Sequence, residues 1–227
     1  MPDLMQYPDR AVLAIDLAEI VAEQLQDAIY LNGKATLAVP GGTTPARFLR
    51  ELSGADIGWE KVSVMLTDER FVPEDSERSN TRLLRQTLLQ GNAAAARLIP
   101  FYRAADKPED VLDQISDGLK PALPLDVCVL GMGADMHTAS IFPEADLLAE
   151  ALADDAPILL PMRAPNAAEP RLTLTAPVLR GAKHMHLLIA GADKLDALQT
   201  ALLDGPESQA PVRIILSRSN TEIHYAE

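Results

Sequence analysis

The sequence predicts an α/β fold, with a mainly parallel sheet carrying helices on both faces. Two observations support this. Short runs of Val, Leu, Ile and Ala alternate along the chain with stretches whose apolar residues recur at helical spacing. Such alternation of strand and helix is the pattern of a sheet whose strands are joined by crossover helices. There is no repeat, no low-complexity tract and no linker, so residues 1–227 are expected to form one domain.

The elements follow in order. Arg10–Leu31 places Val12, Ile15, Ala18, Val21, Ala22, Leu25 and Ile29 at helical spacing, and Asn32-Gly33 is a helix stop. Ala35–Val39 reads as a short buried strand that ends in Pro40-Gly-Gly-Thr-Thr-Pro45, after which helical spacing resumes through Phe48, Leu49 and Leu52. Val62–Leu66 is a second strand, running into Thr67-Asp-Glu-Arg70. Ser79–Leu89 is helical, with Ser79 or Asn80 as its cap. Leu98–Tyr102 is read as a strand, Pro108–Leu119 as a helix and Leu125–Leu130 as an apolar strand ending on Gly131. Ile158–Met162, Arg171–Thr175 and Met185–Ala190 are further strands. Residues 163–170 form a surface loop that could serve as a flap. Asp193 is read as the cap of a helix over Lys194–Leu203, and Val212–Leu216 as the final strand.

Composition narrows the function. Twenty basic against thirty-three acidic residues leave a net charge of −13. Such a surface repels nucleic acid and anionic membranes, and neither is expected as a partner. An anionic substrate would need a local basic pocket. The single cysteine, Cys128, excludes a disulfide within the chain and reads as a buried core residue. The first residues do not follow a secretory signal pattern, and no apolar run approaches the length of a membrane span. A cytoplasmic location is the default expectation.

Three segments leave predicted strands with residues suited to chemistry. In an open α/β sheet, ligands bind at the carboxyl ends of the strands. In the first segment, Gly41 and Gly42 allow close backbone approach. Thr43 and Thr44, with the following helix start, could then face an anion. The competing reading is a tight turn capped by Thr43 or Thr44. The Lys of a nucleotide P-loop is missing. In the second segment, Arg70 is a candidate for binding phosphate or carboxylate, and Asp68 for orienting a side chain or holding a hydroxyl. The competing reading is a loop ion pair.

The third segment is Gly131-Met-Gly-Ala-Asp135-Met-His137-Thr-Ala-Ser140-Ile-Phe-Pro143. It begins like a dinucleotide fingerprint, but Met136 stands where the third glycine belongs, which disfavours a nicotinamide oxidoreductase. An acid near an imidazole can fix its tautomer and raise its basicity, so His137 with Asp135 is a candidate general base. Asp135 could instead cap a following helix. Two later cations, Arg171 and Lys194, stand at predicted strand ends where a site should form. His184 and His186 share one face of a strand, and two such ligands are weak grounds for a metal. His224 carries no sequence signal.

Together these segments resemble the 6-phosphogluconolactonases. The resemblance runs in order over nearly the whole chain: Gly-Gly-Thr-Thr-Pro, then Asp-Glu-Arg with Ser-Asn downstream, then the Gly-x-Gly-x-Asp-x-His-Thr-Ala-Ser-x-Phe-Pro block. It ends with Arg-x-Thr-x-Thr and Gly-x-x-Lys. The His block is the most specific of these. The resemblance implies a Rossmann-like fold shared with glucosamine-6-phosphate deaminases and ribose-5-phosphate isomerases. It implies hydrolysis of a sugar-phosphate lactone without metal or cofactor; the sequence leaves the oligomeric state open, a monomer or small homo-oligomer. His137 would be the base. Gly42, Thr43, Arg70, Arg171 and Lys194 would contact phosphate and sugar, beside Gly41 and Thr44 already read from the turn, with Asp68 and Asn80 in support. The family usually has Gly between the Asp and the His. If that position needs a positive φ, Met136 is strained by about 1 kcal/mol or more. The deaminases typically follow the His with Ala-Phe-Asn-Glu-Pro, whereas here Glu144 comes only after Pro143. A non-catalytic sugar-phosphate sensor would usually carry a DNA-binding module, for which no basic patch exists.

Overall fold

The computed structural model describes residues 2–165, 167–218 and 220–227. A long helix opens the core. α1 (Arg10–Asn32) starts on Asp9, whose carboxylate accepts from the Ala11 and Val12 amides at 2.6 and 2.9 Å, and stops at Gly33 with φ 72°. Its buried stripe is Leu13, Ala14, Leu17, Ala18, Val21, Leu25 and Ala28, while Ile15 is exposed. The helix is therefore rotated from the face the spacing suggested. Apolar residues cover most of its circumference, so periodicity alone selects the face poorly.

Seven strands form one fully parallel sheet. They are β1 (Asp3–Gln6), β2 (Ala35–Val39), β3 (Val62–Leu66), β5 (Arg97–Leu98), β6 (Val127–Leu130), β9 (His184–Ala190) and β10 (Thr221–Ala226), in the spatial order β1-β10-β9-β6-β2-β3-β5. Alternate residues feed two cores. Leu37, Val39, Val64, Leu66, Val127 and Val129 pack with α1, α2 (Ala46–Ser53) and α3 (Asn80–Thr87). Ala38, Met65, Cys128, Leu130, Met185 and Leu187 pack on the other face with α4 (Leu112–Leu119) and α7 (Ala192–Ala201). Helices thus cover both faces, as expected. Among the described residues no helix is long and apolar enough to cross a membrane.

Several elements differ from expectation. A small second sheet stands apart, with β8 (Arg171–Leu174) antiparallel between β4 (Asp68–Arg70) and β7 (Leu159–Met162). A parallel β7–β8 pair would need a crossover of about a dozen residues, and residues 163–170 allow only a hairpin connection. That loop is pinned. Glu169 takes a bidentate contact from Arg78, and the Pro170 carbonyl accepts from the Phe71 amide at 2.8 Å. Asn166, part of the expected flap, lies outside the described residues. Of Leu98–Tyr102 only Leu98 belongs to a strand. A 3₁₀ turn over Pro108–Val111 precedes α4. Residues 212–216 are not a strand. They form α8 (Arg213–Leu216), whose Ile214, Ile215 and Leu216 are buried, and a short, mostly apolar buried run reads alike as helix or strand. The final strand is β10 instead. α7 begins at Ala192 on Gly191, so Asp193 lies in its first turn and is not the cap.

Candidate active site

The chain runs outward from β2 to β3 and β5, then returns to β6 and runs outward the other way to β9 and β10. β2 and β6 are therefore neighbours whose following loops diverge, which is the switch point where α/β sheets bind ligands. A cleft of about 390 Å³ opens there.

The loop after β2 supplies one wall. Gly42 holds φ 93°, open to glycine at no steric cost. Gly41 lies beneath Asn80, and a Cβ at Gly41 would come within 2.1 Å of the Asn80 Oδ1. α2 has no side-chain cap, which removes the reading of Thr43 or Thr44 as helix caps. Both threonines line the cleft instead.

The segment after β3 supplies the second wall, as strand β4. Glu69 is its buried pivot. Its carboxylate accepts from the Asn80 and Thr81 amides at 2.8 and 2.7 Å, from the Arg70 amide at 2.8 Å, and from the Thr81 and Ser79 hydroxyls. Burial pushes this carboxyl up from its ordinary value, and those N–H and O–H donors pull against it. Ser79 completes the α3 cap by accepting from the Arg82 amide at 3.2 Å. Asn80 is thereby fixed over Gly41, and its Nδ2 donates to the Asp68 carbonyl at 3.1 Å.

Asp68 is buried and accepts from the Ser140 hydroxyl at 2.5 Å. Its carboxylate stands 3.8 Å from the Arg171 guanidinium. Arg70 and Arg171 face each other across the β4–β8 register. Arg70 Nη1 donates to the Arg78 carbonyl at 2.7 Å. The Nε of each arginine is buried with no hydrogen-bond partner among the described residues. Burial pulls the Arg171 guanidinium below its ordinary value, against the pull of Asp68. Two guanidinium groups with spare donors suit an anionic oxygen.

The loop after β6 supplies the third wall. Gly131 passes into a tight turn closed by Met136 N–H to Gly133 C=O and Gly133 N–H to His137 C=O, both 2.9 Å. Within it, His137 Nδ1 lies 2.5 Å from Asp135 Oδ1. No helix follows, so Asp135 is not a cap. The hydrogen bond to His137 is the largest influence on the Asp135 carboxyl and helps hold it below its ordinary value. The His137 ring rests on Phe142 at 4.2 Å between centroids, and the Arg171 guanidinium lies 5.2 Å from the centroid of the Phe142 ring.

Gly133 has a steric role the sequence did not suggest. A Cβ there would come within 2.2 Å of His137 Nδ1 and 2.3 Å of Asp135 Oδ1. Met136 does take the expected positive φ, at 63°. Its carbonyl accepts from the Val212 amide at 3.1 Å, and its side chain packs on the core.

Lys194, in the first turn of α7, lines the last side. The cleft thus gathers Gly41, Gly42, Thr43, Thr44, Asp68, Arg70, Asn80, His137, Arg171 and Lys194, with Asp135 behind His137. Glu69, Phe142 and Ser140 escaped sequence reasoning. Glu69 lay within the charged segment, but its inward direction depends on β4 pairing with β8.

Comparison with known proteins agrees with this architecture. A family model described as glucosamine-6-phosphate isomerases/6-phosphogluconolactonase matches residues 8–225. A 6-phosphogluconolactonase of Mesorhizobium japonicum is 49% identical over 92% of this chain and 88% of its own length. One from Rhizobium meliloti is 44% identical over 97% of both. The crystal structure of a 6-phosphogluconolactonase from Shewanella baltica superposes with a TM-score of 0.97 at 31% identity, covering 100% of this chain and 98% of that one. The chain belongs to the glucosamine-6-phosphate isomerase/6-phosphogluconolactonase family.

Proposed function

We propose that this chain hydrolyses 6-phospho-D-glucono-1,5-lactone to 6-phosphogluconate, in the oxidative pentose phosphate pathway, with His137 as general base. The observation that carries the reading is the His137–Asp135 pair at the rim of a cleft holding Arg70, Arg171 and Lys194. The relatives named 6-phosphogluconolactonase over most of the chain support it. The reaction takes place in the cytoplasm, in one unit spanning residues 1–227, acting as a monomer or small homo-oligomer. It uses no metal or cofactor.

The substrate phosphate is held by Arg171, Lys194 and the Gly41–Thr44 turn, where fixed positive charge outweighs the acidic surface and orients the lactone. Asp135 accepts from His137 Nδ1–H, which leaves Nε2 as the basic nitrogen. Nε2 takes a proton from water, and the hydroxide oxygen bonds to the lactone carbonyl carbon. The oxyanion is met by backbone N–H groups near Gly131–Gly133 or by Arg70. The tetrahedral intermediate collapses, the bond to the ring oxygen breaks, and imidazolium returns the proton to that oxygen. The products are a free hydroxyl and a carboxylic acid, which ionises.

The test is a pH-controlled assay with fresh 6-phosphogluconolactone, subtracting spontaneous hydrolysis. Saturable acid release is expected, with no ammonia from glucosamine 6-phosphate. Ammonia release, or no acceleration over the spontaneous rate, would overturn the proposal.

A further inference from the structure

A second cluster of chemistry-bearing side chains lies on the opposite half of the sheet. His186 on β9 and Glu222 and His224 on β10 project from one face, with Glu222 in register with His186. His186 and His224 are 1% and 0% exposed. His186 Nδ1 and His224 Nε2 are 3.0 Å apart, and Glu222 Oε2 stands 3.4 Å from the first and 3.8 Å from the second. We infer that these three atoms form a binding site for one zinc-class divalent ion, held by two imidazoles and a carboxylate.

Geometry supports the assignment. The nearest point equidistant from three atoms so spaced lies about 2.0 Å from each, and a tetrahedral position just off their plane about 2.1 Å, both within zinc–nitrogen and zinc–carboxylate bond lengths. Tetrahedral zinc ligands sit at similar mutual spacings, with water completing the four. The groups behind the ligands are also in place. His186 Nε2 meets the Gln24 amide oxygen at 2.8 Å, and His224 Nδ1 meets the Tyr7 hydroxyl at 3.0 Å. Metal-bound imidazoles are commonly oriented in this way through their second nitrogen.

Proton accounting closes as well. Without metal, one proton lies between the two histidines. On binding, the His224 proton moves to Nδ1 and is accepted by the Tyr7 oxygen, whose own O–H points to the Met5 sulfur, 3.8 Å from that oxygen. Both imidazoles stay neutral, and neutral imidazole is the ligating form. Glu222 explains itself least without a cation. It has no hydrogen-bond donor among the described residues, yet it faces a bond the two imidazoles already make. Half-exposed, it also gives the ion a way in.

The experiment titrates the chelator-treated full chain with Zn²⁺ alone by calorimetry, and with Co²⁺ alone by visible absorption. One equivalent is expected, with the intense bands of tetrahedral cobalt. Glu222→Ala, at a half-exposed position, and His224→Gln abolish binding, and Gln24→Ala weakens it about tenfold or more. His137→Ala leaves it unchanged. Thermal unfolding in chelator reports whether each variant folds, and Glu222→Ala decides if His224→Gln does not. Absence of saturable binding, binding that survives Glu222→Ala, or binding lost in His137→Ala overturns the inference.

Discussion

At the residue scale, the site depends on one crowded turn. The Asp135–His137 contact folds back over Gly133, so the side chains proposed to carry the chemistry occupy the space a Cβ would take. Two substitutions separate chemistry from binding. His137→Ala is expected to lower kcat by about 10²–10⁴-fold while leaving KM nearly unchanged. Lys194→Ala should chiefly raise KM, and steady-state kinetics on the lactone distinguishes them. Met136 gives a stability test. Its φ of 63° costs about 1 kcal/mol. Its thioether packing on the core offsets a similar amount. Met136→Gly is therefore expected to change unfolding free energy by less than about 1 kcal/mol, measured in denaturant. A loss several times larger would show that the side chain's packing outweighs the strain.

At the scale of elements, the second sheet positions the cations. β4 and β8 set Arg70 opposite Arg171, and Glu69 ties β4 to the start of α3. Removing the Glu69 carboxylate leaves buried amides of Asn80 and Thr81 without acceptors. Each such loss costs about 1–3 kcal/mol. Glu69→Ala is expected to destabilise by roughly 3 kcal/mol or more and to raise KM through misplacement of Arg70 and Asn80. Chemical denaturation together with kinetics checks both effects. Much of the element map was legible, because the strands β2, β3, β6 and β9 are buried runs bounded by glycine or polar turns. Most of the candidate site residues lie in the segments that leave those strands, while Arg171 at the start of β8 and Asn80 at the start of α3 are brought to them by the fold. What stayed hidden has common causes. β1 and β10 lie near the first and last residues without punctuation, α8 is a short, mostly apolar run too brief to show its period, and the role of Glu69 depends on a pairing distant in sequence.

At the scale of the whole molecule, the buried histidines couple stability to pH. Burial pulls His186 down to about 3, with help from His224 and His184, and His224 down to about 4. Between those values and the ordinary imidazole value of about 6.5, the unfolded chain binds protons that the folded chain refuses. Stability is therefore full above that window and falls as pH drops through it, by at most about 1.4 kcal/mol per pH unit for each group. Unfolding in chelator at pH 7 and pH 5 should show the decline, and His224→Gln should reduce it.

β1 runs parallel to β10, pairing Asp3 with Glu222 and Gln6 with Tyr225. Pro2 therefore lies at the amino edge of the sheet, and Glu227 at the carboxyl edge, where the cleft opens. Pro2 thus marks an attachment point on the side of the sheet away from the cleft. Tethered to a solid support through Pro2, it should present its cleft to the bulk liquid and keep its solution turnover. Tethered through Glu227, it should turn the cleft toward the support and lose apparent rate to slower substrate delivery. Comparing the two immobilised forms at equal loading measures the difference.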